Sequence, residues 1–504
     1  SCKLQHMMEE AELADVWRCK HPLAKRFTHY HTNGAGTPAR LDRFLVDRAA
    51  LGWATKADIV PSQVSDHYGV TLVLQPPDLP ALGTAGWACP TYIVLHPEYQ
   101  PRIRAAIVEK WAQLQAQGDA FEAVKWEALK RDIRSVVDRM HREHCRKARQ
   151  AMTDAIGAVR AADAAQAAQP NDPVTRVLAQ GARANLKDTQ QQQAAAASYA
   201  AAAVSSRSGE TTSAWFFATK GLALNRQSRL ITHVLVPGQP QPVSLTGEGA
   251  QAHLSAAAVE VFSSDAPQGL FRPGATDPDA QGQLLSAMQR RLDPHRRQEA
   301  EGPEGNGAVT LQCLTNALAS TEGGKMPGSD GLTYELYKAL WSTLGPILHT
   351  VIDHIITAFE VSDGDPDALP ISWLEGIIAL IYKGSRDKPL PPEDLRNYRP
   401  ITLLNTDFKL LSLVAAQRMQ PAAAYLVSHL QTGFVTGRDI ADNALHHLTM
   451  MEYLQEVQEP GALLILDFEK AYDRVDRPWL HKVIHEMGFG PGMQRLVRLL
   501  MVPS

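Results

Sequence analysis

Apolar and polar positions are patterned differently in four successive zones of this chain. Up to about residue 76, short apolar runs alternate with turn residues. Arg43-Phe44-Leu45-Val46 and Gly69-Val70-Thr71-Leu72-Val73-Leu74 read as strands, and Pro76-Pro77-Asp78-Leu79-Pro80 closes the zone. From about 100 to 205, apolar residues recur at helical spacing, as in Ile103, Ile107, Trp111 and Leu114. The later part, Ala151 to Ala203, is rich in Ala and Gln and predicts a helix or a flexible spacer. From about 206 to 308 the pattern is mixed. Trp215-Phe216-Phe217 is an aromatic cluster, and Leu230 to Val236 reads as a strand. Pro267 to Gly307 reads as a surface linker or disorder.

The zone from about 309 to 504 is the most regular. Leu332 to Leu348 has helical periodicity, and Gly376 to Lys383 is an apolar strand ending in a cation. Asp407 to Met419 is an amphipathic helix. Asp476 followed by Pro478 opens another helix, which Gly488 and Gly490 stop. Leu464-Ile465-Leu466 reads as a buried strand delivering one carboxylate, Asp467, to its end. A buried strand has little reason to end in an acid unless the acid holds a metal or a partner. Strands and helices mix as in an α+β protein.

Composition narrows this picture. With 504 residues, several domains are expected. A net charge of -4 means that any nucleic-acid surface is local. The five cysteines are scattered without a CxxC pair, which argues against a zinc ribbon or a disulfide framework. His141, His144 and Cys145 lack a second ligand pair and read as a solvated helix face. The basic stretch Lys130 to Arg149 either tracks phosphates or is a solvated helix face. No signal peptide and no apolar run of membrane-spanning length is seen, so no membrane partner is expected. Ser1 at the start and Pro503-Ser504 at the end read as cuts, and a fragment is expected. Nothing in the pattern speaks to the oligomeric state.

Chemistry concentrates in the last zone. Pro327-Gly328-Ser329-Asp330-Gly331 is a tight turn opening a helix. Lys383 and Arg399, on neighbouring strands, could clamp a triphosphate, Arg as a fork and Lys as a point charge. Gln431-Thr432-Gly433-Phe434-Val435, with Gly437-Arg438, is a loop where backbone could approach a nucleic-acid strand. These stretches, in this order, resemble the reverse transcriptase of LINE-type (non-long-terminal-repeat) retrotransposons. The resemblance rests on the Pro327 turn, Leu380-Ile381-Tyr382-Lys383, Asn397 to Asn405, Gln431 to Arg438, and Leu466 to Val475.

The resemblance implies roles. Asp467 would be the first catalytic aspartate, binding two Mg2+ ions, with the Phe468 carbonyl completing a metal shell. Lys383 and Arg399 would hold the phosphates of a dNTP, and Tyr472 would exclude a 2′-hydroxyl. Gln431, Gly433 and Arg438 would lie along nucleic acid. Implied partners are an RNA template, a DNA primer at target DNA, and dNTPs, with action in the nucleus. The family also needs a Tyr-x-Asp-Asp hairpin, and no Asp-Asp pair occurs in these residues. The chain as given is expected not to polymerise.

Near the start, Thr37 to Val46 and Ser65-Asp66-His67 resemble the last strands of the endonuclease/exonuclease/phosphatase α/β sandwich. There His67 would contact the scissile phosphate, Asp42 would orient it, and Asp66 would lie at the metal side. Trp126-Glu127-Ala128-Leu129-Lys130 resembles the LINE connector, a pattern without assigned chemistry. The expected organisation is an α+β multidomain chain. Residues 1–76 are a nuclease remnant, 77–205 a helical connector, and 206–308 a linker and extension. Residues 309–504 are right-hand polymerase fingers and part of a palm. The alternative is a non-catalytic nucleic-acid-binding remnant of such an element.

Overall fold

The computed structural model describes residues 2–24, 26–29, 39–60, 67–75, 87–118, 121–169, 172–205, 231, 233–245, 249–263, 266, 269–270, 276–384, 389–458, 460–462, 464–468, 471–472 and 474–502. The chain divides into two compact units: Ser1–Ala85 with Arg139–Ala202, and Gly86–Asp138 with Ala203–Ser504. The division falls inside one helix, Glu122–Ala168.

In the first unit, strand Leu13–Asp15 pairs antiparallel with Leu45–Asp47, and Ala54–Val60 pairs antiparallel with Gly69–Leu74. Ala54, Ala57 and Ile59 alternate inward and close over Val16, Trp17 and Tyr68. Asp15 caps the short helix Val16–Lys20 through the Arg18 N–H at 3.1 Å. Arg40 and Arg43 also grip it, at 2.6 and 3.3 Å. Burial pushes the Asp15 carboxyl up, but these bonds and charges outweigh it and hold the group below the usual range. The Ala/Gln-rich tract is helical, within Pro173–Ser205. Leu186 of that helix meets Ala155 and Val159 of the preceding one, a thin seam suited to small side chains. Pro76 to Pro80 and the Trp215 cluster lie outside the described residues.

The second unit is built around helix Tyr334–Val361. Its Leu336, Leu340, Leu344, Leu348, Val351 and Ile355 form one buried stripe. Helices Leu311–Ser320 and Thr406–Leu426 pack in the same core. Among the described residues it is the one helix long and apolar enough to cross a membrane, a property the sequence pattern did not flag. Burial in the core accounts for that composition.

Strands Ile377–Tyr382 and Tyr398–Leu403 form an antiparallel hairpin, in register from Ile377↔Leu403 to Tyr382↔Tyr398. Leu380, Tyr382 and Tyr398 face a core of Val234, Ala257, Phe262, Leu270 and Leu395. Among the described residues of the strand expected at 230–236, His233–Val234 pairs with Val243–Ser244.

Two expectations are corrected here. The tract 267–307 is not simply a linker: helices Pro278–Ser286 and Pro294–Glu301 form in it, and Ala300 and Glu301 are buried. Each helix opens with an aspartate cap followed by proline at the first turn, which fixes a helical start. Leu464-Ile465-Leu466 forms no strand among the described residues and is 77%, 83% and 77% exposed. A strand needs a neighbour for its backbone bonds and a cover for its apolar side chains, and no described segment supplies either.

Candidate functional site

The hairpin register decides where the two predicted cations stand. Tyr382 and Tyr398 are opposed and face the core, so their neighbours Lys383 and Arg399 point to the other face. The ladder continues one step past the strand, with the Lys383 N–H donating to the Asn397 carbonyl at 2.8 Å. Lys383 and Arg399 are thus diagonal neighbours on one face, roughly 7–8 Å apart at their backbones. Both are exposed. The Lys383 ammonium rests on the Arg396 carbonyl at 2.8 Å. The Arg399 guanidinium makes no hydrogen bond among the described residues. A forked cation beside a point charge on an open face is chemically suited to a polyphosphate.

Asp467 is exposed, with no hydrogen bond or ion pair among the described residues. Phe468 beside it is 83% exposed. Among the described residues, no group of three or more His, Cys, Asp or Glu side chains could hold a metal ion. Two dications roughly 3.5–4 Å apart need bridging carboxylates. One carboxylate and a carbonyl do not fit such a pair, so no step is derived through the metal. Asp66 lies outside the described residues.

The structure brings Tyr472 to Phe434, with ring centroids 5.9 Å apart and edge-on. Both rings are largely exposed. Phe434 sits in the left-handed region at φ 61°, rare for an aromatic residue, in the loop predicted to meet nucleic acid. The Gln431 amide donates to the Gly433 carbonyl at 3.2 Å. Arg438 donates to the carbonyls of Ala424, Val427, Ser428 and Gln431, at 2.8, 3.2, 2.5 and 2.7 Å. It thereby satisfies the open end of helix Thr406–Leu426 and is chiefly a structural clamp.

The least anticipated feature is a buried charge cluster in the second unit. Lys130, read as part of a basic phosphate-tracking or solvated stretch, is buried, with 2% of its side chain exposed. Its ammonium lies 3.1 Å from Asp407, 3.1 Å from Glu127 and 3.5 Å from Asp330, and it donates to Ser372. Trp126 donates its indole N–H to Asp407 at 2.7 Å. Burial would lower the Lys130 pKa, but the surrounding carboxylates win and hold it above the usual range. Burial would raise Asp407, yet Lys130 and Trp126 hold it below the usual range. Burial and repulsion from Asp407 push Asp330 up to about 6, against Lys130. Next to Asp407, the Asn405 side chain accepts the Asp330 N–H at 3.1 Å and donates to the Ser372 carbonyl at 2.8 Å. A Cβ on Gly328 would lie 2.2 Å from the Asn405 oxygen, and Gly331 has φ 74°, so the Pro327 turn requires both glycines. The signal available in sequence was one lysine at helical spacing among Trp126, Leu129 and Ile133, on what is now the buried stripe.

In the first unit, the His67 Nδ1 lies 2.7 Å from the Asp42 carboxylate. Burial pushes Asp42 up, but hydrogen bonds with His67 and Thr28 win and leave it below the usual range. The ring of His29, which sequence reasoning did not single out, lies 4.7 Å from that of His67.

Residues 386–501 match the family described as reverse transcriptase (RNA-dependent DNA polymerase). The chain is similar to the Transposon TX1 uncharacterized 149 kDa protein of Xenopus laevis, with 32% identity over 224 residues. That stretch covers 44% of this chain and 16% of the relative, so the chain spans a small part of the relative's length. Together these findings show a reverse transcriptase match in the C-terminal region and a similarity to a transposon protein, in keeping with the resemblance read from the sequence motifs.

Proposed function

We propose that this chain, which carries a reverse transcriptase domain related to those of non-LTR retrotransposons, contributes nucleotide and template handling to RNA-directed DNA synthesis. The observation that carries this reading is the shared face of Lys383 and Arg399. On it, the two cations hold the phosphates of a dNTP while template RNA and DNA primer lie alongside. The 377–403 hairpin would belong to the fingers, and Asp467 with Phe468 to the palm. Tyr472, braced by Phe434, would stand under the sugar and reject a 2′-hydroxyl. The process would be target-primed and would take place in the nucleus; the Mg2+ that the family uses would need carboxylates besides Asp467. The Asp42–His67 pair fits a nuclease-fold phosphate contact, in which Asp42 fixes the imidazole's tautomer.

With no Asp-Asp pair, the 504 residues supply one acid of the expected set. We expect this chain by itself not to extend a primer on RNA. The missing second acidic motif favours the second reading, in which the chain binds nucleic acid and nucleotide without catalysis. Photocrosslinking tests the shared part of both readings. An azido-dNTP with Mg2+ and an RNA–DNA hybrid should label peptides from 377–403. Label confined to other segments would refute the placement, and primer extension by this chain would refute the expected inactivity.

A further inference from the structure

The Trp126–Lys130 pattern lies on a helix segment that belongs to the same compact unit as the 377–403 hairpin. Residues 405–409 directly follow the hairpin's second strand, and they are fastened in two directions. Asn405 binds Asp330 and Ser372, Thr406 donates to the Leu332 carbonyl, and Lys409 donates to Met326 at 3.1 Å. These bonds tie the strand end to the Pro327 turn. Asp407 turns the other way, to Trp126 at 2.7 Å and Lys130 at 3.1 Å, and is 0% exposed. Lys130 also faces Asp330 in that turn. One buried ammonium thus joins the connector, the Pro327 turn and the start of helix Thr406–Leu426.

We infer that Trp126 and Lys130 are positioning residues for the 377–403 hairpin: they lock the junction 405–409 and the Pro327 turn and so set the face that bears Lys383 and Arg399. The purpose of that face rests on the polymerase reading; the locking does not. Removing Lys130 alone strands two buried carboxylates beside the junction, which must open, hydrate or take up protons. Arginine retains the charge. Neutralising Lys130, Asp407 and Asp330 together removes the buried ammonium with both of the carboxylates that its loss would strand.

The test is hydrogen exchange on the full chain. In Lys130→Met, amides of 378–382, 399–403 and 328–332 should exchange about tenfold faster or more, while those of helix Pro491–Met501 keep their rates. Lys130→Arg and the triple variant Lys130→Met/Asp407→Asn/Asp330→Asn should recover most of the protection. Unchanged exchange at these amides, or a uniform rise without local excess, overturns the inference. If Lys130→Met does not fold, Trp126→Phe, which removes one N–H donor, must show the same local excess on a smaller scale. Its absence also overturns the inference. Mg–dTTP binding separates the two claims. If Lys383→Met and Arg399→Met leave it unchanged while Lys130→Met loosens the hairpin, the polymerase reading fails and the lock stands.

Discussion

At the scale of the residue, Asp330 gives the sharpest expectation. Lys130, itself paired with Glu127, faces it from the connector, Asp407 and Lys409 from helix Thr406–Leu426, and Tyr337 from helix Tyr334–Val361. Its carboxyl is pushed up to about 6 from an ordinary 3.8, so the folded state holds its proton more tightly than the unfolded chain does. The resulting stability is complete below the ordinary value and is lost as pH rises through about 6. Asp330→Asn should flatten the dependence of the unfolding midpoint on pH between those values. It should leave the protein on the order of 2 kcal/mol more stable at pH 7, relative to wild type, than at low pH. Thermal melts of both proteins across that range check this. Sequence could reveal Lys383, Arg399 and the Asp42–His67 pair, because short motifs mark them. It could not reveal the task of Lys130, because a charged residue shows its burial only once the opposing acids, hundreds of residues away, are in place.

At the scale of the element, local chemistry explains both successes and misses. Helix Tyr334–Val361 was legible because apolar residues recur through it at helical spacing, and strand Ile377–Tyr382 because it is an unbroken apolar run of strand length. Helices Pro278–Ser286 and Pro294–Glu301 were missed because overall polarity masked the capping signal at Asp277-Pro278 and Asp293-Pro294. The run Leu464–Leu466 was misread because strand formation depends on a neighbour, which periodicity does not contain. Glu301 shows how such elements are joined. Its buried carboxylate accepts the N–H groups of Gly492 at 3.1 Å and Met493 at 3.0 Å, at the start of helix Pro491–Met501. Glu301→Ala should cost about 1–3 kcal/mol in denaturant unfolding, because it leaves two buried donors unpaired. Arg438→Met should loosen the end of helix Thr406–Leu426 by about 1–2 kcal/mol, read as faster exchange of amides 424–431.

At the scale of the whole molecule, apolar exposure is concentrated between residues 430 and 472. Leu430, Phe434, Ile440, Leu445, Leu448, Met450, Met451, Tyr453, Leu464, Ile465, Leu466, Phe468 and Tyr472 are all more than half exposed. Exposed apolar side chains in such number within one stretch offer a surface for an apolar dye. The chain should bind 1-anilinonaphthalene-8-sulfonate strongly in its folded state, and limited proteolysis should cut first within 457–476. A fluorescence signal no higher than that of an ordinary folded domain would contradict this description. The central claim, that one hairpin face presents Lys383 and Arg399 to a nucleoside triphosphate, is tested most directly by equilibrium binding of Mg–dTTP to the full chain with an RNA–DNA hybrid. The account predicts that Lys383→Met and Arg399→Met each weaken binding about tenfold, and that Arg399→Lys does not restore the lost fork. Equal affinities for wild type and both variants would contradict it.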